Sequence, residues 1–381
     1  MKKRIVHSSI LLLMIGGLSA CGGGSDSGTD SNAGDGAGSS SDQETRAFSS
    51  AVDTPELDYS GGAVYWDLET NSIVSESDDW ELKITQNGYE PLIQINGGAS
   101  GPGDAGLGAY LTASADEVTD PTDTAQVYKY FEDSASGVLS TPGGYGPLEY
   151  NVAGGHKMWP NFATYVFNDN GVYYKAQVIS NYGEQGTDSS GTLRIRYALA
   201  GDSATTEDQA SVVTLDAASD TSSAAFLDMA AGQAVGESDS WQFAYQKYIG
   251  FKTNSGVSGS GSIEGCLAHT YSALYDDTGA AVQSEFEGKT AANTLDDFNA
   301  VTTANCSEWL TDDVQSQIVD WYSYDMTTHT VTVNTDATNG WILRSSSMSE
   351  DNGADYRYAR IKIKTFGSSK LVFSVESWEA Q

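Results

Sequence analysis

The chain has 381 residues, with 19 Lys and Arg against 52 Asp and Glu, a formal net charge of −33. A charge of that sign excludes a phosphate-reading face for nucleic acid, which needs clustered Lys and Arg, and it excludes adhesion to anionic lipid. The acidic surface is read as serving solubility.

Lys2, Lys3 and Arg4 open the chain and Ile10 to Ile15 form a short apolar run. That run falls short of the roughly 20 residues a bilayer-spanning helix needs, so the segment reads as an export signal. Leu18-Ser19-Ala20-Cys21 resembles a bacterial lipobox, which implies removal of residues 1–20 and a lipid on Cys21. Gly22 after the Cys resembles an outer-membrane sorting pattern. Residues 21–45 are Gly, Ser, Asp and Asn with almost no apolar side chain, the composition of a flexible tether.

Two copies of one pattern follow. Asp67–Trp80 reads DLETNSIVSESDDW and Asp228–Trp241 reads DMAAGQAVGESDSW, aligned without a gap. Next, Asn96-Gly97-Gly98-Ala99-Ser100-Gly101 matches Asn254-Ser255-Gly256-Val257-Ser258-Gly259. Finally Asp169-Asn170-Gly171 before Tyr174-Lys175 matches Asp351-Asn352-Gly353 before Tyr356-Arg357. The spacing of about 160 residues indicates tandem domains, since solenoid repeats run roughly 20–50. The expected domains are 46–200 and 211–381, joined by a small, polar linker from Gly201 to Ala210.

Period-two alternation marks strands at Trp80–Ile84, Leu193–Tyr197, Ile361–Lys364 and Leu371–Val375. The Tyr, Thr and Val content suits them. Asp169-Asn170-Gly171 reads as a hairpin turn rather than a calcium loop. Short helices are expected at Ala125–Glu132, Thr294–Ala300 and Thr311–Trp321. The expected fold is mainly β: two tandem antiparallel β-domains with a few short helices. Trp80 and Trp241 read as core anchors. Cys266 and Cys306, in a chain bound for an oxidising compartment, are expected to form a disulfide closing a loop of about 40 residues, worth a few kcal/mol in the chain-entropy model.

These segments, in this order behind a lipobox, resemble the HmuY family of haem-binding lipoproteins. The residues that carry the resemblance are Tyr65-Trp66-Asp67-Leu68, Trp80-Glu81-Leu82, Asn96–Gly101 and Tyr173-Tyr174-Lys175 in the first copy. In the second they are Trp241-Gln242-Phe243, Asn254–Gly259, Trp321-Tyr322-Ser323-Tyr324-Asp325 and Thr328-His329. The resemblance implies a predominantly β fold that clamps haem between loops, with two axial side chains on iron and an apolar, aromatic slot for the porphyrin. It also implies transfer of the haem to a TonB-dependent outer-membrane receptor.

Chain 22–381 offers three histidines as axial ligands, His156, His269 and His329, and a His/Met pair would draw on Met158, Met326 or Met348. Trp159, Tyr173, Tyr174, Trp321, Tyr322 and Tyr324 are candidate pocket aromatics. His156 and His329 each lie a few residues past a Tyr and read as equivalent positions. The second domain, with two of the histidines and the disulfide, is the preferred binding unit. No nucleophile elbow, P-loop, HExxH or dinucleotide fingerprint occurs, so no reaction is expected. Two other readings fit the same fold: a surface module for a glycan, peptide or protein, and a calcium-dependent structural module.

Overall fold

The computed structural model describes residues 46–88, 90–349, 355–367 and 369–380. Cys21, the export signal and the tether lie outside them, as does Asp351-Asn352-Gly353.

The first repeat opens with three short strands, β1 (Arg46–Phe48), β2 (Val52–Asp53) and β3 (Leu57–Asp58). Four strands follow, β4 (Val64–Asp67), β5 (Ser72–Val74), β6 (Leu82–Asn87) and β7 (Glu90–Ile95), in the order β5-β4-β6-β7. Then come β8 (Gly106–Tyr110), β9 (Val127–Phe131), β10 (Ser134–Ser136) and a hairpin of β11 (Leu148–Tyr150) and β12 (Met158–Pro160). Three longer strands close it: β13 (Thr164–Asp169), β14 (Val172–Ser180) and β15 (Thr192–Leu199).

The second repeat runs through a similar order, with one strand in place of β1–β3 and two helices in place of β9. It has β16 (Ser211–Asp216), then β17 (Ala225–Asp228), β18 (Gln233–Val235), β19 (Phe243–Gln246) and β20 (Gly250–Lys252) in the order β18-β17-β19-β20. Next are β21 (Glu264–His269), the two short helices α1 (Gln283–Gly288) and α2 (Leu295–Ala300), and β22 (Asp313–Gln315). A hairpin of β23 (Tyr322–Asp325) and β24 (Thr330–Val333) precedes β25 (Trp341–Ser349), β26 (Asp355–Gly367) and β27 (Lys370–Ala380).

The repeated residues have matching jobs. Asp67 accepts backbone N–H bonds from Glu69 and Thr70, both 3.0 Å, and Asp228 does so from Ala230 and Ala231 at 2.8 and 3.0 Å. Asp78 and Asp239 accept from Ser75 N and Gly236 N at 2.9 Å. Such Asx turns satisfy the backbone where each small sheet folds over. Trp80 and Trp241 are buried, each against an aromatic ring, Tyr65 at 5.2 Å and Phe226 at 5.0 Å.

The glycine-rich turns also match. Asn96 Oδ1 accepts from Gly103 N and Asn254 Oδ1 from Gly261 N. Ala99 N donates to the Asp133 carbonyl, and Val257 N to that of Asp312. Gly98 (φ +63°) and Gly256 (φ +54°) lie in the left-handed region, and a Cβ on either would sit 2.1 or 1.8 Å from those same carbonyls.

The chain is mainly β with antiparallel sheets, as expected. The expected strands at 80–84, 193–197, 361–364 and 371–375 appear as β6, β15, β26 and β27, and 294–300 holds α2. Two helix expectations are corrected. Ala125–Glu132 contains the strand β9, whose Val, Tyr and Phe residues favour the pleated edge beside β8. Thr311–Trp321 holds β22 and then irregular backbone, because its donors are drawn into long-range bonds, Gln317 N to Asp133 among them.

The linear domain division is corrected too. β15 and β16, on either side of 201–210, pair antiparallel from Thr192↔Asp216 to Tyr197↔Ser211, so that segment joins neighbours within one sheet. One core draws on 57–107 and 318–375, including Trp66, Ile84, Ile95, Trp321, Ile361 and Phe373. The other draws on 138–263, including Phe167, Ile195, Leu215, Leu227 and Phe243. Residues 45–381 form one compact unit.

The turn geometry predicts unequal costs for three Gly→Ala changes. At Gly98 and Gly256 positive φ combines with collision against backbone, and each change should cost more than about 2 kcal/mol. At Gly171 (φ +89°) the Cβ would meet open space, and the cost should stay near about 1 kcal/mol. Urea unfolding of the three variants measures this; equal costs would show that the turns do not dock on Asp133 and Asp312.

Candidate binding site

Two hairpins stand at equivalent places, β11–β12 after β10 and β23–β24 after β22, and both carry the same polar device. Tyr150 Oη lies 2.7 Å from His156 Nδ1, and Tyr324 Oη lies 2.8 Å from His329 Nδ1. The residue after each Tyr braces the turn. Asn151 Oδ1 accepts from His156 N at 3.0 Å, and Asp325 Oδ1 accepts from Thr327 N at 2.7 Å and Thr328 N at 3.2 Å. Both histidines have φ +56°, a conformation uncommon outside glycine and more accessible to His than to most residues. Both are exposed.

One of the two tautomers that this contact allows prepares Nε2. When Nδ1–H donates to the phenol oxygen, the tautomer is fixed and the lone pair sits on Nε2, which is how protein imidazoles are oriented toward iron or zinc. The equivalence of His156 and His329 read from the sequence is thus present in the structure, with Tyr150 and Asn151 as members that the sequence reading did not single out. Aligning Tyr150-Asn151 with Tyr324-Asp325 would have found them.

The remaining candidates are placed differently. His269 ends β21, half-buried, with its ring edge-on to Tyr271 at 4.8 Å and its Nε2 buried without a hydrogen-bond partner. Cys266, three residues earlier, is bonded to Cys306, with the Cα atoms 5.6 Å apart. Met158 leans on the second core, while Met326 is 80% exposed at the hairpin turn. Met348 is exposed on β25.

Trp321 is core rather than pocket wall, only 2% exposed and edge-on to Tyr322 and Phe366. Tyr322 is half-buried and donates to Glu90. Trp159 is half-buried, and its Nε1 is buried without a partner. Tyr173 packs beside Trp309, and Tyr174 lies against the second core.

These positions do not form a two-sided iron site on one hairpin. A porphyrin needs axial ligands on opposite faces, whereas His329 and Met326 share one turn and Met158 turns toward the core. No hydrogen bond, ion pair or ring contact joins any two of the six candidate ligands among the described residues. The chemistry fits one axial imidazole per hairpin.

A second polar cluster lies at β4, β6, β25 and β26: Asp67, Glu69, Asp79, Glu81, Ser345, Ser347 and Arg357. Glu81 is 2% exposed and accepts from Leu68 N and from Ser346 N and Oγ. Burial, reinforced by Asp67 and Asp79, pushes its carboxyl up to about 7 despite those donors. Gln242 holds the matching place in the second repeat, accepting from Met229 N. Among the described residues no group of three or more His, Cys, Asp or Glu is arranged to hold a metal ion.

Comparison of the chain with protein-family models, with curated proteins and with solved structures finds no match in any of the three.

The Glu81 carboxyl generates a pH prediction. Its folded-state value is raised, so its stabilising contribution is complete in acid and is lost as pH rises through about 7. Glu81→Gln has no proton to lose there. Thermal unfolding from pH 5 to 8 should show a steeper fall in the parent than in Glu81→Gln; parallel profiles would contradict the assignment.

Proposed function

We propose that this chain is an exported, lipid-anchored binding protein that takes one haem at each of its two Tyr–His hairpins, each hairpin supplying one axial histidine. The observation that carries the reading is the duplicated geometry at Tyr150–His156 and Tyr324–His329, at matched φ and matched distance. His156 and His329 would hold iron through Nε2, with Tyr150 and Tyr324 fixing the rings. Bound haem would supply the redox-active iron; the chain's own residues bind, orient and release it. The resemblance to the HmuY family supports the rest: attachment at the outer membrane through Cys21, delivery to a TonB-dependent receptor, a role in iron acquisition and no catalysis.

Exposed tyrosines favour one second reading, a surface module for a glycan, peptide or protein. Tyr145 is 53% exposed and lies 5.9 Å from the Tyr150 ring, next to one of the hairpins.

Haemin titration of residues 22–381, followed by absorbance, tests the proposal. The expected result is a saturable Soret shift with two equivalents. His156→Ala and His329→Ala should each remove one, the double variant should remove both, and His269→Ala should leave both. Tyr150→Phe and Tyr324→Phe should weaken binding several-fold, the usual scale for a lost orienting partner. A featureless titration, or full binding by the double variant, would overturn the haem reading and leave the surface module.

A further inference from the structure

We infer that the two repeats are joined as a strand-exchanged pair, each completing the sheet of the other, in the way two copies of a single-repeat subunit would associate. In the five-stranded sheet, β16-β15-β14-β13-β21, the three central strands come from the first repeat and both edges from the second. The eight-stranded sheet reverses this: β25, β26 and β27 come from the second repeat and pair with β8 and with β1–β3 from the first. The slots correspond. β13 pairs with β21 as β25 pairs with β8, and β15 pairs with β16 as β27 pairs with β1–β3.

The chains cross where exchange requires it. β10 and β22 are the segments between each repeat's own small sheet and the three strands it donates. They pair with each other, Ser134↔Gln315, Ala135↔Val314 and Ser136↔Asp313. Asp133 and Asp312 dock the same turn in each repeat, so Ala135 and Val314 are equivalent positions, and they face each other at the centre. A register symmetric about equivalent residues is the signature of an isologous, two-fold contact.

Buried contacts run across the repeats on both sides of the crossing. Asp133 accepts from Ile95 N and Ser100 Oγ of its own repeat and from Gln317 N of the other. Lys175 of the first repeat is 3% exposed and donates to the carbonyls of Asn299 and Val301 in the second, 2.9 Å each. Arg196 reaches the Ala291 carbonyl at 2.8 Å and Thr294 Oγ1 at 3.0 Å. Both cations lie about Phe298, at 5.0 and 4.9 Å from its ring. Burying such groups unpartnered is costly, so these bonds hold the first repeat's blade to the second repeat.

Segment 201–210 joins strands that are already neighbours, so the exchange does not depend on it. The full chain with a protease site placed in 201–210 tests this, together with two cysteine pairs at facing positions on it, Ala47→Cys with Glu379→Cys and Arg194→Cys with Thr214→Cys. After cleavage the halves should co-elute at the mass of one chain. Under oxidant each cysteine pair should join the halves covalently on a denaturing gel. The native Cys266–Cys306 bond lies within the second half and leaves the readout clear. Halves that separate, or co-elute without linkage in either cysteine variant, would return each blade to its own repeat and overturn the inference. Linked dimers of whole chains would also overturn it, by placing the exchange between molecules. The cleavage result stands by itself should a cysteine variant fail to fold.

Discussion

The buried carboxylate of Asp133 is the constraint on which the architecture turns. It sits 3% exposed and accepts from Ile95 N at 3.0 Å, Ser100 Oγ at 2.6 Å and Gln317 N at 2.8 Å. Those donors belong to the end of the small sheet, the glycine-rich turn and the irregular segment that follows β22 in the other repeat. Burial raises the carboxyl to about 6, while the three donors pull the other way. Asp312 repeats the arrangement with Thr253 N and Thr253 Oγ1, and burial raises it too. Removing such an acceptor orphans buried donors at about 1–3 kcal/mol each, so the path of the chain through the molecule is tied to two side chains.

Much of the fold was legible because the repeated residues act locally. Asp67, Asp78 and their counterparts close turns within a few residues, and Trp80 and Trp241 are buried just ahead of β6 and β19. Alternation located β6, β15, β26 and β27 because one face of each is buried. The course of the chain between repeats was not legible. β13–β15 and β25–β27 carry equivalent patterns and would look the same in sequence whichever repeat they completed. The linear boundary at 201–210 therefore misplaced the cores, and the crossing at β10 and β22 was invisible for the same reason. The segment Thr311–Trp321 failed as a helix because its pairing partners lie far away, at Ser134–Ser136 and at Asp133.

The candidate site was half legible. His156 and His329 stood out as scarce residues past a tyrosine, and the structure gives both the same braced geometry. Tyr324 was among the candidate aromatics, whereas Tyr150, which reaches His156 across the other hairpin, was not. Trp321 and Met158 looked like ligand contacts and turned out to serve the cores. Duplication of the domain thus produces two equivalent hairpins, one beside each core, rather than one two-sided pocket.

The central claim is that 164–199 belongs physically with 211–269 and that 341–380 belongs with 46–131. Native-state hydrogen exchange of the intact protein, read peptide by peptide in rising denaturant, measures which segments open together. The account predicts that amides in β13–β15 lose protection with β16 and β21, and that those in β25–β27 do so with β1–β3 and β8. Opening of β13–β15 together with β4–β8, independently of β16 and β21, would contradict it.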